Sequence, residues 1–512
     1  MSLKIKEILP FIVLLLLSVN TKSEVRVNSL FTENAVLQQG VKIPVFGSAN
    51  DNEEITVSFG KQILKTITVN GRWLVTMNPL KASSIPQKLI VKGSNTIIIS
   101  NILVGEVWLC SGQSNMALGL KHIRPKKDYQ DKSFVFKDAQ NFSTIRQYTI
   151  RVKTYDSIPD RSYDNNGKWV VCDSNKVLDF SAVAYFFGRS LNKELSVPIG
   201  LLTIAYPGTP IEFWINKDSL IDKPELKSVF ENYTNSFKNF PSKLKEFKEN
   251  QSTIITNYKN DSVIAVKNSR AITERPKVPV NPAERGGPGG LFNAMISPLI
   301  PFAIKGCLWY QGENNSGGGI KYRQLLPLLI NNWRQEWKIG EFPFIIVQIP
   351  GWKTIQPELR EAQLLTSQNV KKTSLVVIID CDDASNVHPG NKQPVGERSA
   401  LQALAIAYNK KIEYCGPIYE NHEIKENKII LTFSHAKKGI CSKNGELKDF
   451  EICGADEKYY PATAIIIKDR VIVESTNVAN PTSVRMGWNT TPNINLYNSY
   501  GLCASPFRTK VQ

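Results

Sequence analysis

A serine at the end of a buried strand is the first residue in this chain placed to do chemistry. Gly112-Gln113-Ser114-Asn115-Met116 follows the apolar run from Ile102 to Cys110. A strand that turns into a helix there would hold the Ser114 hydroxyl at a sharp bend, beside backbone N–H groups. An acyl-transfer nucleophile is presented in this way. The GxSxG elbow is not met, because Met116 stands where its second glycine would be. A serine before a helix is also a common N-cap. Ser111 competes, but Ser114 has the glycine two residues before it.

A serine nucleophile usually needs a histidine base. The chain has four histidines, His122, His388, His422 and His435. His388 lies in the loop Asp380-Cys381-Asp382-Asp383-Ala384-Ser385-Asn386-Val387-His388-Pro389, after the strand-like run Leu375 to Asp380. Pro389 biases His388 away from helix. A histidine in a loop past a strand end suits a base, and the other three lack this setting. So few histidines argue against a His-rich metal site, and no HExxH or paired CxxC spacing occurs.

Two more strand ends carry donors. Gly306 to Tyr310 runs into Gln311-Gly312-Glu313-Asn314-Asn315. Gln311 offers a side-chain N–H to charge developing on an oxyanion, and Gly312 permits close backbone approach. Ile199 to Ala205 runs into Tyr206-Pro207-Gly208-Thr209, where Gly208 offers a backbone N–H.

The elements that must position these residues are legible from pattern. Residues 24–103 read as all-β, with runs such as Ile43-Pro44-Val45-Phe46 and Ile55-Thr56-Val57-Ser58-Phe59 between turn signals, which suggests a β-sandwich. Residues 104–409 alternate apolar strands with amphipathic helices at Val183 to Glu194, Tyr322 to Trp337 and Val395 to Tyr408. That order predicts a mostly parallel sheet with helices on both faces and ligands beyond the carboxyl ends of its strands. A lysine- and asparagine-rich helical insertion spans about 218–277. Residues 410–512 return to β character, as in Ile429 to Phe433 and Ala464 to Ile467.

These blocks resemble the secreted sialate O-acetylesterases of the SGNH-hydrolase superfamily. The resemblance covers nearly all of the sequence after residue 23. It rests on Val36 to Gly40, Asn70 to Trp73, Glu106 to Met116, Phe292 to Ile296, Trp309 to Asn315, Leu359 to Gln363, His388 to Lys392, Ser483 to Arg485 and Asn495 to Asn498. It implies an SGNH-type three-layer α/β hydrolase domain flanked by β-sandwich-like N- and C-terminal regions. It implies that Ser114 attacks an acetyl ester, that His388 acts as base and then acid, and that the Ser114 N–H, the Gly208 N–H and Gln311 bind the oxyanion. No metal or organic cofactor is implied.

The chain departs from the family twice. Pro207-Gly208-Thr209 stands where the family usually has Gly-Gly-Thr. Asn386 and Ser385 stand where related enzymes often place an aspartate two or three residues before the histidine. Three readings stay open: a backbone carbonyl orients His388, Asp382 or Asp383 folds back onto it, or the enzyme is weakened. The leading function is removal of O-acetyl groups from sugars, sialic acid first. The alternatives are an acetylesterase for xylan or another polysaccharide, and a glycan-binding protein that has lost catalysis. Arg285, Arg360 and Arg485 are candidate contacts for a substrate carboxylate.

The formal net charge is +17. The lysines are scattered without a basic-aromatic motif, so the expected partner is an acetylated carbohydrate and not nucleic acid. Residues 1–23 read as a secretory signal, with Lys4 and Lys6 before the apolar run Ile8 to Val19, and no membrane span is expected after it. This predicts a secreted or periplasmic protein. The sequence sets no oligomeric state. Export would place the eight cysteines in an oxidising compartment. Cys441 and Cys453 are the first pair to consider, and Cys110 and Cys307 suit buried thiols.

Overall fold

The computed structural model describes residues 24–123, 132–150, 167–268, 276, 278–381 and 386–510, with the side chains of 132–134, 283 and 285 outside that description. The signal segment 1–23 and the pair Asp382 and Asp383 therefore lie outside the described residues.

One long strand, Thr96–Gly112, organises the molecule. Its first half pairs antiparallel with Ser83–Lys92, and Val36–Gln38 lies parallel beside Leu103 to Gly105. Its second half is the middle of a sheet ordered Lys168–Val171, Ile145–Thr149, Ile199–Ala205, Thr96–Gly112, Gly306–Tyr310, Phe344–Val347, Thr373–Val376. Every neighbouring pair in that row is parallel except the first. The boundary expected at 103/104 thus falls inside a single strand, which carries one sheet into the other.

Parallel strands covered on both faces read as continuous apolar runs. Accordingly, every residue from Ile102 to Gly112 is buried. Alternation sends Trp108 and Cys110 to one face, where they cluster with Phe187, Leu191, Val395 and Ala403. It sends Val107 and Leu109 to the other, with Tyr322, Leu329, Trp333 and Ala362. Helices Ala182–Leu195 and Gln393–Ile406 therefore cover the first face, and Gly319–Trp337 and Pro357–Asn369 the second. All three amphipathic stretches read from sequence are helices within three residues of their expected ends.

The strand expected at Leu375 to Asp380 stops earlier, at Val376. Ile379–Cys381 forms a turn of 3-10 helix instead. The cause is Asp380, whose carboxylate takes Arg398 Nη1 at 2.6 Å and Nη2 at 2.7 Å and the Tyr497 hydroxyl at 3.2 Å. That fork bends the chain toward the helix carrying Arg398.

The expected helical insertion is present as Lys217–Ile221 and the 41-residue helix Lys227–Lys267, with Val229 the one buried side chain of the long helix. The carboxyl-terminal β character also appears. Lys428–Ser434, Thr463–Ile467 and Arg470–Glu474 join Ile418–Lys425 in a four-stranded sheet. Cys441 and Cys453 are not bonded to each other, and none of the eight cysteines forms a disulfide. Cys441 pairs with Tyr497 in one sheet, while Cys453 faces Tyr459 and Ser483 in another. Cys110 and Cys307 are buried as expected, and burial pushes both thiols well above their ordinary range.

The end of the long strand is the tightest point. Gly112 has φ +141, and a Cβ there would sit 2.0 Å from the Tyr310 carbonyl oxygen. Both the backbone conformation and the neighbouring strand demand glycine. Gly112→Ala is expected to destabilise the fold by about 1–3 kcal/mol, measured by urea denaturation, and to cost esterase turnover beyond what the lost stability explains.

Candidate active site

Strand register assembles the site. Gly112 is level with Ala205 on one side and with Tyr310 on the other. The three turns that follow, carrying Ser114, Gly208 and Gln311, therefore emerge side by side at the carboxyl edge of the sheet. Cross-links tighten them. The Gln113 N–H donates to the Tyr310 carbonyl at 3.1 Å, and the Tyr206 N–H donates to the Gly112 carbonyl at 3.0 Å.

Ser114 is the first residue of a one-turn helix, Ser114–Ala117. The first helical bond runs from the Ala117 N–H to the Gln113 carbonyl at 2.9 Å. The Ser114 N–H lies ahead of it, as the orphan donors of a helix start do. Serine is thus at the sharp strand-to-helix bend expected of it, and it is partly accessible.

His388 reaches this turn from 274 residues away. Its Nε2 lies 2.8 Å from Ser114 Oγ. His422 bonds the Tyr419 hydroxyl at 2.8 Å and His435 the Glu413 carboxylate at 2.6 Å, both in the carboxyl-terminal β region. Asn386, in the slot where related enzymes often have an acid, serves the backbone: its Oδ1 accepts from the His388 N–H at 2.9 Å. Asp380 is spent on Arg398 and Tyr497, and those donors hold its carboxyl below the usual range against the opposing effect of burial.

Gly208 stands in the expected turn at φ +68. Gln311 needs a correction. It is 0 % exposed. Its Nε2 faces three internal acceptors, Asn315 Oδ1 at 2.8 Å, Thr209 O at 3.1 Å and Gln113 Oε1 at 3.2 Å. Its Oε1 accepts from the Tyr322 hydroxyl at 2.8 Å. An amide nitrogen has two hydrogens, and these acceptors use them. Gln311 therefore ties the Gly208 turn to the Ser114 turn and has no donor left for an oxyanion.

Three polar residues beside the nucleophile form a cluster that motif reading did not single out. Asn115 Nδ2 donates to Glu313 Oε1 at 2.5 Å and to the Val387 carbonyl at 3.0 Å. Lys392 Nζ donates to Asn115 Oδ1 at 2.5 Å and lies 5.2 Å from the centre of the Tyr310 ring. Lys392 is 1 % exposed, which is rare for a lysine. Burial lowers its pKa to about 7, opposed by the Glu313 charge. Burial also raises the Glu313 carboxyl, opposed by the Asn115 hydrogen bond and the Lys392 charge. All three residues sit in the sequence blocks already quoted. What sequence lacks is any sign that a lysine four residues after the histidine points inward.

The expected carboxylate contacts fare differently. Arg360 is fully buried and donates to the Asn489 carbonyl, so it ties a helix to the carboxyl-terminal region. Arg485 pairs with Glu451 at 2.7 Å and stacks 4.0 Å from the Tyr459 ring centre. The Arg285 side chain lies outside the described residues. Among the described residues no cluster of His, Cys, Asp and Glu is arranged to hold a metal ion, and no helix is long and apolar enough to cross a membrane.

Known proteins resemble this chain along most of its length. The family described as carbohydrate esterase, sialic acid-specific acetylesterase, matches residues 288–404, which include His388 and Lys392. The sialate O-acetylesterase of Rattus norvegicus is 28% identical over 508 residues, covering 88% of this chain and 87% of its own. That of Homo sapiens is 27% identical over 522 residues, covering 91% and 88%. The crystal structure of a carbohydrate acetylesterase from Xanthomonas citri superposes with a TM-score of 0.78 at 30% identity, over 96% of this chain and 100% of the other. With a serine and a histidine joined at the carboxyl edge of its sheet, and likeness along nearly its full length, this chain is an esterase that belongs to the sialate O-acetylesterase family.

Proposed function

We propose that the chain hydrolyses O-acetyl esters on sugars, with O-acetylated sialic acid as first substrate, through an acetyl-enzyme on Ser114. The observation that carries this reading is the 2.8 Å hydrogen bond between Ser114 Oγ and His388 Nε2. Ser114 Oγ attacks the acetyl carbonyl while His388 takes its proton. The backbone N–H groups of Ser114 and Gly208 receive the oxyanion, a donor pair whose members are each worth roughly 3 kcal/mol in such sites. The tetrahedral adduct expels the sugar oxygen, which His388 protonates. Water then attacks the acetyl-enzyme with His388 again as base, releasing acetate and free Ser114.

The finer architecture goes with this reading: an SGNH-type three-layer domain flanked by β-sandwich-like regions. Helices on both faces of the parallel sheet support it. Sialic acid as the sugar is supported by the likeness to sialate O-acetylesterases and by a net charge of +17, which favours an anionic substrate. Export through residues 1–23 to a secreted or periplasmic location belongs to the same proposal.

A carboxylate partner for His388 is not required in this mechanism, since such a group chiefly fixes tautomer and orientation. Asp382→Ala and Asp383→Ala are each expected to keep turnover of a chromogenic acetate ester within tenfold, while Ser114→Ala and His388→Ala lose nearly all of it. Collapse in either aspartate variant would assign that residue to the triad. Acetate release is expected to be faster from O-acetylated sialic acid than from acetylated xylan. The reverse order moves the substrate to plant-type polysaccharides. Folded protein that neither hydrolyses acetate esters nor takes a fluorophosphonate on Ser114 would instead be a glycan-binding relative.

A further inference from the structure

The contact between His388 and Ser114 depends on a loop reaching across from the far side of the sheet. What fixes that loop is visible in one peptide unit. The Val387–His388 peptide is held at both of its polar atoms. Its carbonyl oxygen accepts from Asn115 Nδ2 at 3.0 Å, and its N–H donates to Asn386 Oδ1 at 2.9 Å. Fixing this plane fixes the His388 N–Cα bond and leaves the Cα–Cβ bond only rotation about it. Asn115 is the residue after the nucleophile, so the same side chain locates the loop relative to Ser114.

An asparagine amide can face either way. Turned over, Asn115 would aim its NH2 at the Lys392 ammonium and its oxygen at two acceptors, Val387 O and Glu313 Oε1. A lysine ammonium has only donors and a backbone carbonyl only accepts. Lys392 and the Val387 carbonyl therefore demand the same orientation, and Glu313 Oε1 accepts from the same Nδ2. Lys392 is itself well anchored. It precedes the helix Gln393–Ile406, whose Gly396 packs so closely on the helix Ala182–Leu195 that a Cβ there would meet Phe186 Cβ at 2.5 Å.

We propose that Lys392 is a positioning residue for the Ser114–His388 pair: by donating to Asn115 Oδ1 it sets the amide that holds the Val387 carbonyl, and so sets the histidine ring on the serine hydroxyl. Lys392 need not touch substrate. The proposal rests on the esterase reading above and adds to it the group that maintains the geometry.

The test uses the full chain and a chromogenic acetate ester. Lys392→Met keeps the length of the side chain and removes the donor. It is expected to lower kcat by about 10- to 100-fold, the range for a catalytic pair displaced by about 1 Å, with KM within about twofold. The labelling of Ser114 by a fluorophosphonate is expected to slow in parallel. In a His388→Ala background, Lys392→Met is expected to change residual activity less than twofold, because a residue acting through His388 has nothing left to act on. A general loss of structure would reduce both backgrounds alike. Full activity in folded Lys392→Met, or multiplying losses in the double variant, overturns the proposal. If Lys392→Met does not fold, Asn115→Leu decides. It removes the tether to Val387 together with the bonds to Lys392 and Glu313, while Lys392 itself stays in place. Folded Asn115→Leu with unchanged kcat overturns the proposal, and a loss of kcat at constant KM supports it. Ser114→Ala in the same assay separates the two readings. An active Ser114→Ala overturns the nucleophile itself, whereas an inactive one beside fully active Lys392→Met overturns only the positioning role.

Discussion

Everything at this site follows from one register. Gly112, Ala205 and Tyr310 end three neighbouring parallel strands at the same level. Had any of those strands slipped by one residue, its inward side chains would have turned to the opposite face. Trp108 and Val107, buried on opposite faces, make such a slip costly. The core therefore sets the register, and the register delivers three turns to one edge. The close approach of Gly112 to the Tyr310 carbonyl is the local expression of that constraint, because no side chain fits between the strands where Ser114 must emerge.

Much of this was legible in sequence because it depends on short-range pattern. Apolar runs bounded by polar turns located Ile199–Ala205 and Gly306–Tyr310 to the residue. Ser114 and His388 stood out because strand-end serines and loop histidines have few competitors in a chain with four histidines. What was not legible depends on long-range partners. Asp380 read as part of a strand because its neighbours are apolar; Arg398 and Tyr497, 18 and 117 residues away, turn it aside. Gln311 read as an oxyanion donor because its position is right. Only the acceptors gathered from Gln113, Thr209 and Asn315 reveal that its hydrogens are already used. Arg360 read as a substrate contact and is instead a fully buried tie to the Asn489 carbonyl.

These corrections have a common physical origin. A polar group at a strand end can face either the substrate or the neighbouring turn, and burial decides which. Once Gln311 is sealed from solvent, leaving either of its amide hydrogens unpaired would cost about 1–3 kcal/mol. The fold therefore satisfies them internally. The same reasoning makes the Asn115–Glu313–Lys392 cluster informative. A buried lysine and a buried carboxylate are expensive apart and tolerable together only with good hydrogen bonds. Their retention beside the nucleophile is better explained by geometry than by stability, since apolar residues of similar size would fill that space at less cost.

That argument bears on how His388 is held. In a triad, the acid orients the imidazole from the side opposite the serine. The described part of the loop also works on the main chain. Asn386 and Asn115 hold the two polar atoms of the peptide that leads into His388, and the helix begun at Lys392 holds the chain that leads out. With the N–Cα bond fixed, the ring is placed by φ and its two side-chain torsions, and the 2.8 Å bond to Ser114 Oγ constrains them. The catalytic geometry is then no more rigid than the residues that hold that peptide, Asn115 and Asn386 among them.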